Sequence, residues 1–216
     1  MTPDGARRFV AAETRPARTA LVPEIALRLA DEITPVWQAT EATLERVGAD
    51  PPYWAFAWPG GQALARFVLD GHAGVAGRRV LDLAAGSGIA AIAAALSGAA
   101  HVVAAEVDPL AGAAIAANAA LNGVSIGIAI GDPLLRDGDA EVILAGDVCY
   151  ERAMTERIVP WLRAAARRGA SVLLADPGRA YLPRHGLSAL ARYAVPVSLE
   201  LEDRPVRETT VYRVEP

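Results

Sequence analysis

The spacing of apolar positions changes character along this chain. From residue 78 onward, short runs of consecutive apolar residues alternate with longer, Ala-rich runs. The short runs, at 79–83, 101–106, 126–130, 141–146 and 170–175, have the length and continuous apolar character of strands buried on both faces. The longer runs, at 88–97, 109–121 and 151–167, read as helices. Strands and helices alternating at this spacing predict a parallel sheet with helices on both faces. The C-terminal part differs: 193–201 and 209–214 read as strands joined by Glu202-Asp203-Arg204-Pro205. So short a connection makes the two strands antiparallel neighbours. The expected fold class is α/β, with an antiparallel hairpin closing one edge of a mostly parallel sheet.

Residues before 60 follow another pattern. Pro23-Glu24 opens an apolar-periodic run through Ile25, Leu27 and Leu29, and 38–47 forms a second; both read as helices. The first twenty residues carry Arg7, Arg8, Arg15 and Arg18 without an apolar segment, and read as a mobile arm. The stretch Pro51-Pro52-Tyr53-Trp54-Ala55-Phe56-Ala57-Trp58-Pro59-Gly60-Gly61-Gln62 is a dense aromatic loop bracketed by Pro and Gly, with a helix following over 62–69. A helical extension with its aromatic loop over 1–60, and a sheet domain over 61–216, is the expected organisation.

Composition narrows the function classes. A chain of 216 residues, 53% hydrophobic and 21% charged, fits one globular domain with a small extension. A net charge of −4 gives no basic footprint for nucleic acid. Nowhere are there about 18 successive uncharged apolar residues, so no membrane span is expected. The single cysteine, Cys149, allows no intrachain disulfide and no cysteine-based metal site, and it points to the cytoplasm. No histidine is placed to activate Cys149, which reads as a small buried residue. All 21 basic residues are arginine; lysine is absent.

The candidate chemistry begins at Val80-Leu81-Asp82-Leu83-Ala84-Ala85-Gly86-Ser87-Gly88, a buried strand that ends in an acid and breaks into a glycine loop. Glycines let a ligand approach the backbone, and the helix behind them offers free N–H groups. A pyrophosphate at that helix N-terminus wants no carboxylate beside it. A ligand with an ammonium group does, so Asp82 favours S-adenosylmethionine (SAM). Glu106 ends the next strand about 20 residues past the loop, the spacing of a carboxylate that accepts from ribose hydroxyls. Asp132 follows the third strand, where it accepts from the adenine amine or caps a helix. Asp108, ahead of Pro109, reads as a helix N-cap, and Asn122-Gly123 as a helix stop. The competing reading is a nicotinamide dinucleotide, because Gly86-Ser87-Gly88-Ile89-Ala90-Ala91 fits the G-x-G-x-x-A fingerprint. Asp82 opposes it, and His72, His101 and His185 have no evident acid–base partner.

Asp147 closes the fourth strand, with Tyr150 three residues on. In-line methyl transfer needs an amine held about 3 Å from the methyl carbon. A carboxylate can orient that amine and an aromatic face can receive its cation. The alternative is that Asp147 caps the helix beginning near Glu151.

The Asp147-x-x-Tyr150 motif resembles that of the seven-β-strand protein lysine methyltransferases. Adding the aromatic loop, the Gly146-Asp147-Val148-Cys149-Tyr150-Glu151 turn and the Asp176-Pro177-Gly178-Arg179 turn, the chain resembles the electron transfer flavoprotein β-subunit lysine methyltransferases and their bacterial relatives over roughly residues 20–214. The resemblance implies a class I, Rossmann-like fold and a monomeric SAM-dependent enzyme, releasing S-adenosylhomocysteine, that methylates lysine on the flavoprotein β subunit. By motif match, Asp82, Gly86 and Gly88 hold the methionine end and Glu106 the ribose. Trp58, Gly60 and Gly61 line the cofactor mouth, and Asp147 and Tyr150 sit at the target amine. One position departs from the family loop: Ala84 stands where a glycine is usual, and its methyl is harmless only if φ is negative. Trp54 and Phe56 read as packing for the extension, and Arg179 as a surface charge or a docking residue. A small-molecule or other protein N-methyltransferase is the second reading among enzymes, and a methyltransferase-like binding protein without activity is the reading from another class.

Overall fold

The computed structural model describes residues 2–30, 51–132, 134, 139–199 and 202–216. The run expected at 38–47 lies outside the described residues.

The central sheet has seven strands, β3 (Arg79–Leu83), β4 (His101–Glu106), β5 (Gly127–Ile130), β6 (Val142–Gly146), β7 (Ser171–Asp176), β8 (Leu187–Pro196) and β9 (Val206–Val214), in the order β5-β4-β3-β6-β7-β9-β8. β3 to β7 are mutually parallel, whereas β9 runs antiparallel to β7 and to β8. The order reverses beside β3, which places a ligand crevice at the carboxyl ends of β3, β4 and β6. Seven strands, parallel but for the closing hairpin, are the class I methyltransferase fold.

Alternate residues of each central strand face opposite layers. Val80, Ala104, Leu144 and Ala175 join the apolar cluster beneath α2 (Pro59–Leu69) and α3 (Ile89–Leu96). Leu83, Ile143, Val172 and Leu174 join the cluster beneath α5 (Arg152–Arg167). α4 (Pro109–Leu121) starts where expected, with the Asp108 side chain accepting from Leu110 N at 2.8 Å. It stops at Asn122, and Gly123 follows at φ +63°. α2 starts earlier than expected, because Pro59 supplies the preset φ of a first helical residue.

The N-terminal segment departs most from expectation. The arm read as mobile forms α1 (Pro3–Glu13), capped by Thr2, whose side chain accepts from Gly5 N. Ala6 and Val10 of α1 pack with Trp54, Leu110 and Ala114, which docks α1 on α4. The run from Pro23 is not a helix: Leu27–Leu29 is a strand, β2, paired antiparallel with β1 (Arg15–Ala17). Two asparagines of α4 fix that outcome. Asn118 Oδ1 accepts from Arg28 N at 2.7 Å, and Asn122 both accepts from Ala26 N (2.9 Å) and donates to Ala26 O (2.7 Å). Extended backbone presents those amide groups sideways; helical backbone would not. β8 also begins earlier than the expected 193, at Leu187, with a bulge between Ala189 and Ala191.

Candidate active site

A cleft of about 720 Å³ opens at the carboxyl ends of β3, β4 and β6. The sequence-predicted Trp58, Gly61, Asp82, Gly86, Glu106, Asp132, Asp147 and Tyr150 all line it. Gly60 and Gly88, also expected at the site, do not line it. Gly88 caps α3 in the left-handed region (φ +78°).

The glycine loop alternates left-handed residues: Ala84 (φ +53°), Gly86 (φ +54°) and Gly88 (φ +78°). Ala84 therefore holds the conformation in which its methyl is strained, at a cost of about 1–2 kcal/mol for an L-residue. The loop is anchored from three sides. Asp82 Oδ2 accepts from Ala91 N in α3 at 2.9 Å, Glu106 Oε1 accepts from Gly86 N at 2.6 Å, and Asn118 Nδ2 donates to Ser87 O at 2.8 Å. Burial pushes the Asp82 carboxyl up to about 7, and burial likewise raises Glu106. Asp132 takes the capping role: it accepts from Leu134 N at 3.0 Å and pairs with Arg157, and both hold its carboxyl below its ordinary value.

At the other end of the cleft, Asp147 adopts φ +55°. It does not cap α5, whose N-cap is Glu151. Instead Asp147 Oδ2 accepts from Gly60 N (2.6 Å) and Gly61 N (3.1 Å), first-turn amides of α2 that have no acceptor within the helix. This contact explains the glycine pair: a Cβ on Gly60 would stand 2.6 Å from both Ala175 O and Asp147 Oδ2. Asp147 Oδ1 is buried with no hydrogen-bond partner among the described residues. Burial, more than any neighbour, pushes Asp147 up to about 7, and the Arg179 guanidinium opposes that rise.

Three aromatic rings meet at the mouth. The Tyr53 ring lies 5.5 Å from that of Tyr150 and 5.8 Å from that of Trp58, and Trp58 Nε1 donates to Tyr53 O. Trp54 and Phe56 are buried packing residues, as expected. Cys149 is buried and its thiol is pushed up to about 12, chiefly by that burial. None of His72, His101 and His185 lines the cleft, which leaves the dinucleotide reading without an acid–base pair.

From the sequence Asn118 reads, with Asn122, only as flanking the end of the 109–121 helix; its bonds to the glycine loop and to the N-terminal segment had no local signal. Sequence reasoning also left Arg179 undecided. That side chain lines the cleft, paired with the buried Glu202 of the β8–β9 connection.

The fold and site have clear counterparts. The family described as Ribosomal protein L11 methyltransferase (PrmA) matches residues 62–174, from α2 into β7. The electron transfer flavoprotein beta subunit lysine methyltransferase of Xenopus laevis is 38% identical over 97% of this chain and 87% of its own length. A solved structure from Pyrococcus horikoshii, described as a proposed RNA methyltransferase, covers 77% of this chain and 89% of its own at 19% identity, TM-score 0.57. The tRNA (uracil-54, C5)-methyltransferase of Pyrococcus abyssi, solved with S-adenosylhomocysteine, covers 69% of this chain and 38% of its own at 15% identity, TM-score 0.51. Similarity at those identities is one of fold. The long, nearly end-to-end match is of another kind: this chain carries a PrmA-type methyltransferase domain and belongs to the electron transfer flavoprotein beta subunit lysine methyltransferase family.

Proposed function

We propose that this protein is a SAM-dependent protein-lysine N-methyltransferase whose acceptor is the β subunit of the electron transfer flavoprotein. The observation that carries the reading is the pair of ends of one cleft: a glycine loop braced by Asp82 and Glu106, and a buried Asp147 oxygen without a hydrogen-bond partner among the described residues. The relatives' names supply the acceptor. One chain contributes every residue the site requires, so a monomer suffices. The buried Cys149 fits a reducing cytoplasm.

The residues present fit SAM. A cleft of about 720 Å³ is the size of a pocket for a nucleoside-bearing ligand with room for an entering side chain. Glu106, at the rim of the glycine loop, is placed for ribose hydroxyls. Asp82 is placed for the methionyl ammonium, whose positive charge would offset the cost of a buried carboxylate. When bound, SAM supplies a methyl group on a cationic sulfur, open to in-line attack.

The remaining work belongs to the protein. Gly60 N and Gly61 N fix Asp147 Oδ2, so the carboxylate cannot rotate. Oδ1 then accepts a hydrogen bond from the lysine ammonium and holds its proton. Burial assists, because it raises the acid strength of an ammonium and lowers that of a carboxylic acid, bringing the two groups toward one another. Tyr53, Trp58 and Tyr150 offer ring faces to the same cation at the mouth, each such contact being worth about 0.5–2 kcal/mol.

The test is incubation of purified electron transfer flavoprotein with SAM and the enzyme, then peptide mass spectrometry, with calorimetry of SAM alongside. Methyl-lysine in β-subunit peptides is expected. An unmodified β subunit with SAM bound would make the acceptor wrong. No SAM binding at millimolar concentration would support the non-catalytic alternative.

A further inference from the structure

Asp147 faces a second charged group whose position is set from elsewhere. The turn after β7 winds on Asp176 Oδ1, which accepts from Gly178 N (2.7 Å) and Arg179 N (2.6 Å). It carries the Arg179 guanidinium to the end of β6, where Nη2 lies 3.7 Å from Asp147 Oδ1. That is ion-pair range but too long for a hydrogen bond. Glu202 occupies the guanidinium instead: Nη2 is 2.5 Å from Oε1 and Nη1 is 3.3 Å from Oε2. The Glu202 side chain is 2% exposed, and Arg207 of β9 grips it too, with Nη2 and Nε at 2.6 and 2.8 Å from Oε2.

We infer that Arg179 and Glu202 are positioning residues for Asp147: Glu202 holds the guanidinium close enough to favour the Asp147 anion and far enough to leave Oδ1 open to the target ammonium. The inference rests on the proposed function for its purpose, and on the geometry alone for its existence. A cation within about 4–6 Å lowers a carboxyl by about 1–3 units. Every group facing Asp147 takes a side. The Gly60 and Gly61 amides of α2 and Arg179 favour the anion; burial and Asp176 of β7 oppose it. Cys149, two residues on, is neutral at physiological pH. Burial already outweighs the favouring groups and lifts the carboxyl to about 7; without Arg179 it rises further, so that at neutral pH Oδ1 is protonated and unable to accept from lysine. Without the Glu202 charge, the guanidinium keeps one strong partner within reach and closes over Oδ1.

The two substitutions therefore have opposite signatures. The full-length protein is labelled with ¹³C-carboxyl aspartate, and the Asp147 resonance is assigned by its loss in Asp147→Asn. It is then titrated in the wild type, Arg179→Gln, Arg179→Lys and Glu202→Gln, with kcat/KM against pH in parallel. Arg179→Gln raises the Asp147 midpoint by about one unit or more and moves the acid limb of kcat/KM with it. Arg179→Lys keeps the midpoint near the wild-type value. Glu202→Gln lowers the midpoint and depresses kcat/KM at every pH. A midpoint that stays put in Arg179→Gln overturns the inference, as does an equal, pH-independent loss in the Gln and Lys variants, which is the mark of a merely structural arginine. If Glu202→Gln fails to fold, the Arg179 pair decides. The resonance titration needs no methyl transfer: an unmethylated flavoprotein with the Arg179→Gln shift intact sinks the proposed acceptor and leaves this inference standing.

Discussion

Asp147→Asn should give a protein that is more stable above neutral pH and catalytically dead. The Asp147 carboxyl is about 7 in the fold against an ordinary 3.8, so the folded state holds its proton over a window in which the unfolded chain has released it. Stability is present in full below about pH 4 and falls as pH rises toward 7, by about 1.4 kcal/mol per unit. Over the window from 3.8 to about 7, roughly three units, that amounts to about 4 kcal/mol. Asparagine does not ionise, so the variant escapes this loss. Its side-chain oxygen can still accept from Gly60 N and Gly61 N, and asparagine tolerates the φ of +55° as well as aspartate does. The assay is urea denaturation of both proteins at intervals from about pH 4 to pH 8. The two should match at the acid end, and the variant should lead by several kcal/mol at the alkaline end. Turnover should drop by about 10²–10⁴, the usual contribution of a proton acceptor, with SAM binding kept. A stability difference that does not vary with pH, or a variant weaker than wild type above neutrality, would refute the reasoning.

Other substitutions probe the frame around the site. Gly60→Ala drives a Cβ to 2.6 Å from Ala175 O and should lower the denaturation midpoint sharply, whereas Gly61→Ala meets only Ile89 Cγ2 at 3.2 Å and should be far milder. Asn118→Ala unpairs the buried Ser87 O and Arg28 N together; at about 1–3 kcal/mol for each, the loss by urea denaturation should be about 2–6 kcal/mol. Ala84→Val puts a β-branched residue at φ +53°, and calorimetry should show weaker SAM binding together with a loss of about 2 kcal/mol or more in stability.

The legible parts of the chain share one physical property. β3, β4 and α4 lie where their patterns predicted because the strands pair inside a parallel sheet and the helices pack on it, so local pattern and tertiary context agree. Asp82, Glu106 and Asp147 were readable for the same reason: an acid at the end of such a strand must face the crevice. Context overrode pattern at residues 23–29. The apolar spacing there suits a helix, but Asn118 and Asn122, some ninety residues on, take the backbone in extended form. β8 lies at the edge of the sheet with most of its residues half-exposed or exposed, which erases the alternation that would have marked its start. α1, by contrast, carried a usable signal in the Thr2-Pro3 start. The Arg179–Glu202 contact had none, because 23 residues, including all of β8, separate the partners.

The central claim is the identity of the acceptor. The most direct measurement offers tritiated SAM and this enzyme equal amounts of electron transfer flavoprotein and ribosomal protein L11, then maps the label. This enzyme has no lysine, so every labelled lysine belongs to an acceptor. Label confined to lysines of the flavoprotein β subunit is the predicted result. Label on L11 with none on the β subunit would contradict it.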